Sequence, residues 1–101
     1  MNDSEELYFS VGRGIKGAEE SQMFGKSCFK AGGKAFVSFF NNCMVFKLAG
    51  DAHKTALSRD GSQLFDPSGK GRPMKEWVQV PYDQKDIWHE MAAEAFKYVK
   101  K

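Results

Sequence analysis

The sequence predicts an α+β fold of two layers, with helices covering an antiparallel sheet of about five strands. Three observations carry that expectation. Brief apolar runs between Glu19 and Leu48 are broken by "FGK", "AGGK" and "FNNC", turn segments rich in Gly and Asn. Stretches of helical periodicity stand at both ends of the chain and again in its middle. A chain of 101 residues has room for a single hydrophobic core, so residues 1–101 are read as one domain.

The elements follow in chain order. Asp3, with Glu6 three positions later, makes an N-cap pair, and Leu7, Tyr8 and Val11 recur at helical spacing until Gly12 and Gly14 interrupt. The meander from Glu19 to Leu48 gives about four strands. Read by twos, "KAFVSFF" puts Ala35, Val37 and Phe39 on one side, and "CMVFKL" puts Met44, Phe46 and Leu48 there; these sets make the core face. The opposite face carries Phe36, Phe40 and Val45 beside Lys34, Ser38 and Lys47. Too apolar to be simply wet, it is expected to lie under the first helix or under a second copy of the protein. Asp51 caps a middle helix, "DAHKTALSRD", that stops at Gly61, and "MKEWVQVP" is the last strand, ended by Pro81. Asp83 caps the final helix. On a helical wheel Ile87, Trp88, Met91, Ala92, Ala95, Tyr98 and Val99 share one side, while His89, Glu90, Lys97 and Lys100 lie opposite.

Composition bounds the function. Nine phenylalanines and a hydrophobic fraction of 42% mark an ordered chain with ample area to bury. A net charge of +2 falls well short of the basic bias of a non-specific nucleic-acid binder, so any basic patch is local. The opening "MNDSEELYF" is acidic and polar, and no apolar run reaches about 18 residues, so neither a secretion leader nor a membrane span is expected and a cytoplasmic location is. Cys28 and Cys43, each between apolar neighbours, read as buried free thiols.

The segment densest in chemistry is "FDPSGKGRPMKEW", Phe65 to Trp77. As a phosphate cradle it fails on spacing, because Gly69 and Gly71 are one residue apart and a strand follows where a phosphate loop would feed a helix. A dinucleotide fingerprint lacks its third glycine and a parallel context. The simpler reading is a connection: Asp66 before Pro67 starts a turn, the glycines relax it, and Pro73 extends the chain into the next strand. Lys70, Arg72 and Lys75 have no task in such a turn, and stand as a solvated rim or a contact for an anionic partner.

Catalytic signals are weak. His53 and His89 sit on predicted helices among polar neighbours, without the close His or Cys spacing that metals use. Ser10, Ser38 and Ser68 have no evident base nearby in sequence, and Asp66 and Glu76 read more simply as salt links to Arg72 or Lys75 than as a catalytic pair. No catalytic residue, metal ligand or cofactor is assigned, and the chain is read as non-enzymatic.

Taken together, "MFGKSCFKAGGKAFVSFFNNCMVFKL", the helix after it, "LFDPSGKGRPMKEWVQVP" and the closing helix resemble the TfoX N-terminal domain family, small bacterial proteins named for a competence regulator. YjbR-like proteins are more distant look-alikes. The resemblance runs from about Met23 to Val99 and rests chiefly on Met23-Phe24-Gly25, on Gly33-Lys34 before the long strand, and on Phe65 to Pro81. It implies an α+β domain with helices on an antiparallel sheet, and a role in regulating competence genes that belongs to the longer, two-domain members.

Two functions are carried forward. One is a regulatory or adaptor domain acting through protein contacts or self-association, by way of the face bearing Phe36, Phe40 and Val45. The other is a weak nucleic-acid binder whose Lys47, Lys54, Arg59, Lys70, Arg72 and Lys75 gather on one edge, with Trp77 as a stacking platform. A small-molecule binder or enzyme using a cleft between the loop and the final helix is a third, lesser reading.

Overall fold

The computed structural model describes residues 2–23, 25–67, 69–71 and 73–100, with the backbone alone at Met23. Its first helix, α1 (Asp3–Arg13), begins one residue earlier than the sequence pattern indicates. Asn2 is the cap: its backbone is extended and its side-chain oxygen accepts the Glu5 N–H, which leaves Asp3 in the first turn with Glu5 and Glu6. There the three carboxylates favour the positive end of the helix dipole.

Four antiparallel strands follow as a meander: β1 (Glu19–Met23), β2 (Lys26–Ala31), β3 (Lys34–Phe40) and β4 (Cys43–Lys47). The β2–β3 and β3–β4 connections are two-residue turns with positive φ at both positions, at Gly32 and Gly33 and at Asn41 and Asn42. Next come α2 (Gly50–Ser58), β5 (Gln63–Phe65), β6 (Met74–Pro81), a 3-10 helix (Tyr82–Ile87) and α3 (Trp88–Lys100). The sheet order is β1-β2-β3-β4-β6-β5, with every neighbouring pair antiparallel, so the α+β reading holds with six strands. The additional strand, β5, has three residues, too few to show a period in sequence.

Neither Asp51 nor Asp83 is a cap. Ala49 holds the α2 cap position without a side-chain bond, and Pro81 precedes the 3-10 helix; each aspartate sits within the first turn. The wheel of the final helix holds, since Ile87, Trp88, Met91, Ala92, Ala95 and Val99 are all in the core and Tyr98 packs against it.

That core joins Tyr8 and Val11 of α1, Ala56 of α2 and the α3 residues to Phe29, Phe36, Val37, Met44, Phe46, Val78 and Val80 of the sheet. All three helices therefore lie on one side. Within β3 the alternation breaks: Phe29 pairs with Val37 and Lys30 with Ala35, so Phe36 is an extra residue opposite no partner. Phe36 and Val37 both enter the helix-side core, where the Phe36 ring meets Phe96 edge-on at 5.3 Å. Past the bulge the parity resets, and Ala35 belongs with Phe40 and Val45 on the other side. Phe36 thus does not share a face with Phe40 and Val45, the bulge being a backbone feature that counting by twos passes over.

Candidate functional site: the helix-free face of the sheet

Val45, Phe65 and Trp77 form a second, smaller core on the far side of the sheet, with Ala35, Phe40 and Met74 packed against it. No helix residue contributes to it among the described residues. Strand pairing extends the same face: Cys28 opposes Ser38, Ser38 opposes Val45, Val45 opposes Gln79, and Gln79 opposes Gln63. The row runs from a small pair, Cys28 and Ser38, through Val45 to two glutamines. Phe65 reaches the same face by alternation, because Leu64 before it pairs with Val78 of the helix side, and its ring lies edge-on to Phe40 at 5.4 Å.

Lysines frame the patch. On β2 the alternation Lys26, Cys28, Lys30 points one way, with Lys26 Nζ 5.1 Å from the Phe40 ring centroid and Lys30 opposite Ala35. Lys47 on β4 opposes Trp77, and its Nζ lies 3.9 Å from a Glu76 carboxylate oxygen. The centre is sealed, since Cys28, Ser38, Val45, Phe65, Trp77 and Gln79 are all buried, and around it Ala35, Phe40, Cys43 and Met74 keep part of their surface open. Sequence reasoning missed Lys26 and Lys30, although their period of two around Cys28 was there to be read.

Both thiols are free and both have their pKa raised by burial. The nearby Lys30 charge opposes that rise at Cys28, and the Gln79 amide, donating to Cys43 Sγ at 3.6 Å, opposes it at Cys43. Each is thus a poor thiolate near neutral pH. Cys28 is buried as read; Cys43 is half-exposed.

The glycine loop after Phe65 builds a small anion nest and fills it from within. Asp66 Oδ1 accepts the Gly69 N–H at 3.1 Å, and Oδ2 accepts the Gly71 N–H at 2.9 Å. Both glycines hold positive φ, which aims those N–H groups inward. A carboxylate of the chain occupies the position a phosphate would take.

The cations named from sequence are dispersed. Lys54 is exposed on α2. Arg59, just past α2, forms a two-oxygen contact with Asp86 at 2.6 and 2.7 Å and donates to Gln84 at 2.6 Å, so it joins α2 to the 3-10 helix. Lys70 and Lys75 are exposed in the loop and at the start of β6, Lys47 is on the helix-free face, and Arg72, like Ser68, lies outside the described residues. Trp77 is only 6% exposed and packs on Val45 and Phe65, which removes it as an open stacking platform.

Among the remaining groups, His53 Nε2 lies 2.8 Å from the Lys75 carbonyl oxygen, fastening α2 to β6, and His89 is exposed. No group of three or more metal-ligating side chains converges among the described residues. A cleft of about 340 Å³ opens between α2 and α3, lined by Leu48, Ala49, Gly50, Ala52, Glu94, Lys97 and Tyr98, away from the glycine loop. Its polar rim is self-paired: Lys97 meets Glu94 at 3.6 Å and the Tyr98 hydroxyl donates to Glu76. No helix among the described residues is long and apolar enough to cross a membrane. No known family, curated protein or solved structure matches this chain.

Proposed function

We propose that this protein is a small non-enzymatic regulatory or adaptor domain that works through protein contacts, with the helix-free face of its sheet as the contact surface. One observation carries the reading. Three helices crowd one side of the sheet, while the other presents half-open Ala35, Phe40, Cys43 and Met74 around a small core. A two-layer domain that leaves one sheet face without a second layer keeps apolar area for a partner. The resemblance to TfoX N-terminal domains agrees with a regulatory role, and the dispersal of the cations gives less support to nucleic acid as the main ligand.

Cross-linking in cells with an amine-reactive reagent, read by mass spectrometry, tests the surface. Links to other polypeptides are expected at Lys26, Lys30 and Lys47, and Phe40→Asp should abolish them while the variant stays folded. Links confined to Lys16, Lys54, Lys97 and Lys100 of the helix layer, or links unaffected by Phe40→Asp, would overturn the proposal. Sedimentation at two concentrations assigns the partner as a second copy or a different chain.

A further inference from the structure

Among the described residues most of the ion pairs lie on the helix side. On the helix side Arg13 pairs with Glu20, Arg59 with Asp86 and Lys97 with Glu94, while Lys85 and Lys100 rest on the rings of Tyr82 and Phe96. On the helix-free face, among the described residues, Lys26 has an aromatic ring as neighbour and makes no ion pair, Lys30 makes none, and Lys47 reaches Glu76 at 3.9 Å. Strand pairing places Glu19, on the outer strand, opposite Lys30. Lys26 and Lys30 are four residues apart on one strand, so their Cα atoms are separated by about 13 Å. Between and beside them lie the half-open Ala35, Phe40 and Cys43.

From this juxtaposition we infer that the helix-free face docks an acidic polypeptide segment, with carboxylates spaced to meet Lys26, Lys30 and Lys47 and an apolar side chain set against Phe40. The inference rests on the contact surface proposed above and adds the chemistry of its partner. Three lysines against the carboxylates of Glu19 and Glu76 leave an excess of positive charge around the apolar patch, which favours an anionic partner and steers its approach. Between the two common anionic polymers, the rings decide. A single-stranded nucleic acid draws its affinity from open aromatic faces, yet Phe65 is fully buried, Trp77 is 6% exposed, and Phe40 is flanked by Lys26 on one side and Phe65 on another. A peptide needs only a shallow apolar seat and point charges, which this face supplies.

Titration of the isotopically labelled domain with a synthetic dodecapeptide alternating Glu with Leu, followed by amide NMR at low salt, tests this. Shifts should concentrate in residues 26–30, 35–40 and 43–47, with little change in α1 or α3. Binding should weaken about tenfold in Lys26→Gln/Lys30→Gln and stay unchanged in Lys97→Gln/Lys100→Gln. Should the first variant fold poorly, the parent alone decides, because raising salt from about 50 to about 300 mM should weaken binding several-fold. Tighter binding of the matched Lys-Leu peptide at the same residues would overturn the acidic chemistry and leave the contact face standing. Shifts confined to the helix layer, or no binding of either peptide, would overturn both. A single-stranded oligothymidylate that bound this face more tightly than the acidic peptide would replace the polypeptide by nucleic acid.

Discussion

Gly12 lies against the ring of Phe29, so close that a Cβ at position 12 would fall 2.2 Å from the ring's Cε1. This contact lets α1 sit down on β2. The ring has little room to yield, being 1% exposed and held edge-on by Tyr8 at 5.4 Å. Alanine would gain about 1 kcal/mol in helix propensity, but overpacking a tight core costs about 1–3 kcal/mol, and an overlap this deep falls toward the upper end. Gly12→Ala is therefore expected to lower the urea midpoint, and a midpoint above the parent's would show that α1 does not bear on Phe29.

The start of α1 is tied to the β3–β4 turn through Asn42. Its side-chain oxygen lies 2.7 Å from the Asn2 amide nitrogen and 3.0 Å from Ser4 Oγ, while its backbone holds φ of 63°. Glycine accepts that φ without strain, so Asn42→Gly removes the acceptor and keeps the turn. A loss of about 0.5–1.5 kcal/mol is expected, with faster amide exchange confined to the first turn of α1. Unchanged exchange there would mean the tether is idle.

The filled nest of the glycine loop predicts a local effect of its own. Asp66→Ala removes the side-chain acceptor of the Gly71 N–H, while the Gly69 N–H keeps its second bond, to the Asp66 carbonyl oxygen at 3.2 Å; a bond to a charged acceptor contributes about 1.5–3 kcal/mol. Exchange of the Gly71 amide should rise about tenfold or more and that of Gly69 less, with the helix-side core unaffected. Equal protection in parent and variant would assign the loop's shape to its prolines and glycines alone.

Alkaline pH should loosen the domain. Burial raises the pKa of the Tyr8 phenol and of the Cys28 thiol above their ordinary values of 10.0 and 9.0. The folded state therefore holds these protons more tightly than the unfolded chain does. Their contribution is fully present below the ordinary values and is lost as pH climbs through the raised folded ones. Urea midpoints should be flat near neutrality and fall beyond about pH 9 to 10. Tyr8→Phe, although it gives up the hydrogen bond to Ser27, should show a shallower fall above pH 10. A parent curve flat to pH 11 would contradict the burial of both groups.

Much of the fold was legible because it depends on local chemistry. The Gly-Gly and Asn-Asn turns, the four-strand meander and the apolar stripe of α3 are written as residue types at fixed spacing. What escaped is what depends on registry between distant segments. The bulge at Phe36 exists because of how β2 and β3 align, and no property of "KAFVSFF" announces it. β5 exists because β6 pairs with it, and Trp77 is buried because Phe65 and Val45 come to it from other strands. The cap at Asn2 competed with an equally suitable Asp3, and geometry chose the first. On the helix-free face, Phe40 and Val45 were legible from alternation, whereas the side that Lys26, Cys28 and Lys30 take depends on how β2 pairs with β3.

The place of β6 between β4 and β5 gives folding a direction. Strands β1 to β4 pair with their sequence neighbours across tight connections, so they can assemble early and quickly. Their helix-side residues, Phe36, Met44 and Phe46 among them, have no complete cover until Trp88, Met91, Ala92 and Ala95 arrive near the end of the chain. On the ribosome, the meander emerges ahead of α3 and waits with a greasy flank exposed. Slower synthesis of the stretch from α2 to α3 would lengthen that exposure.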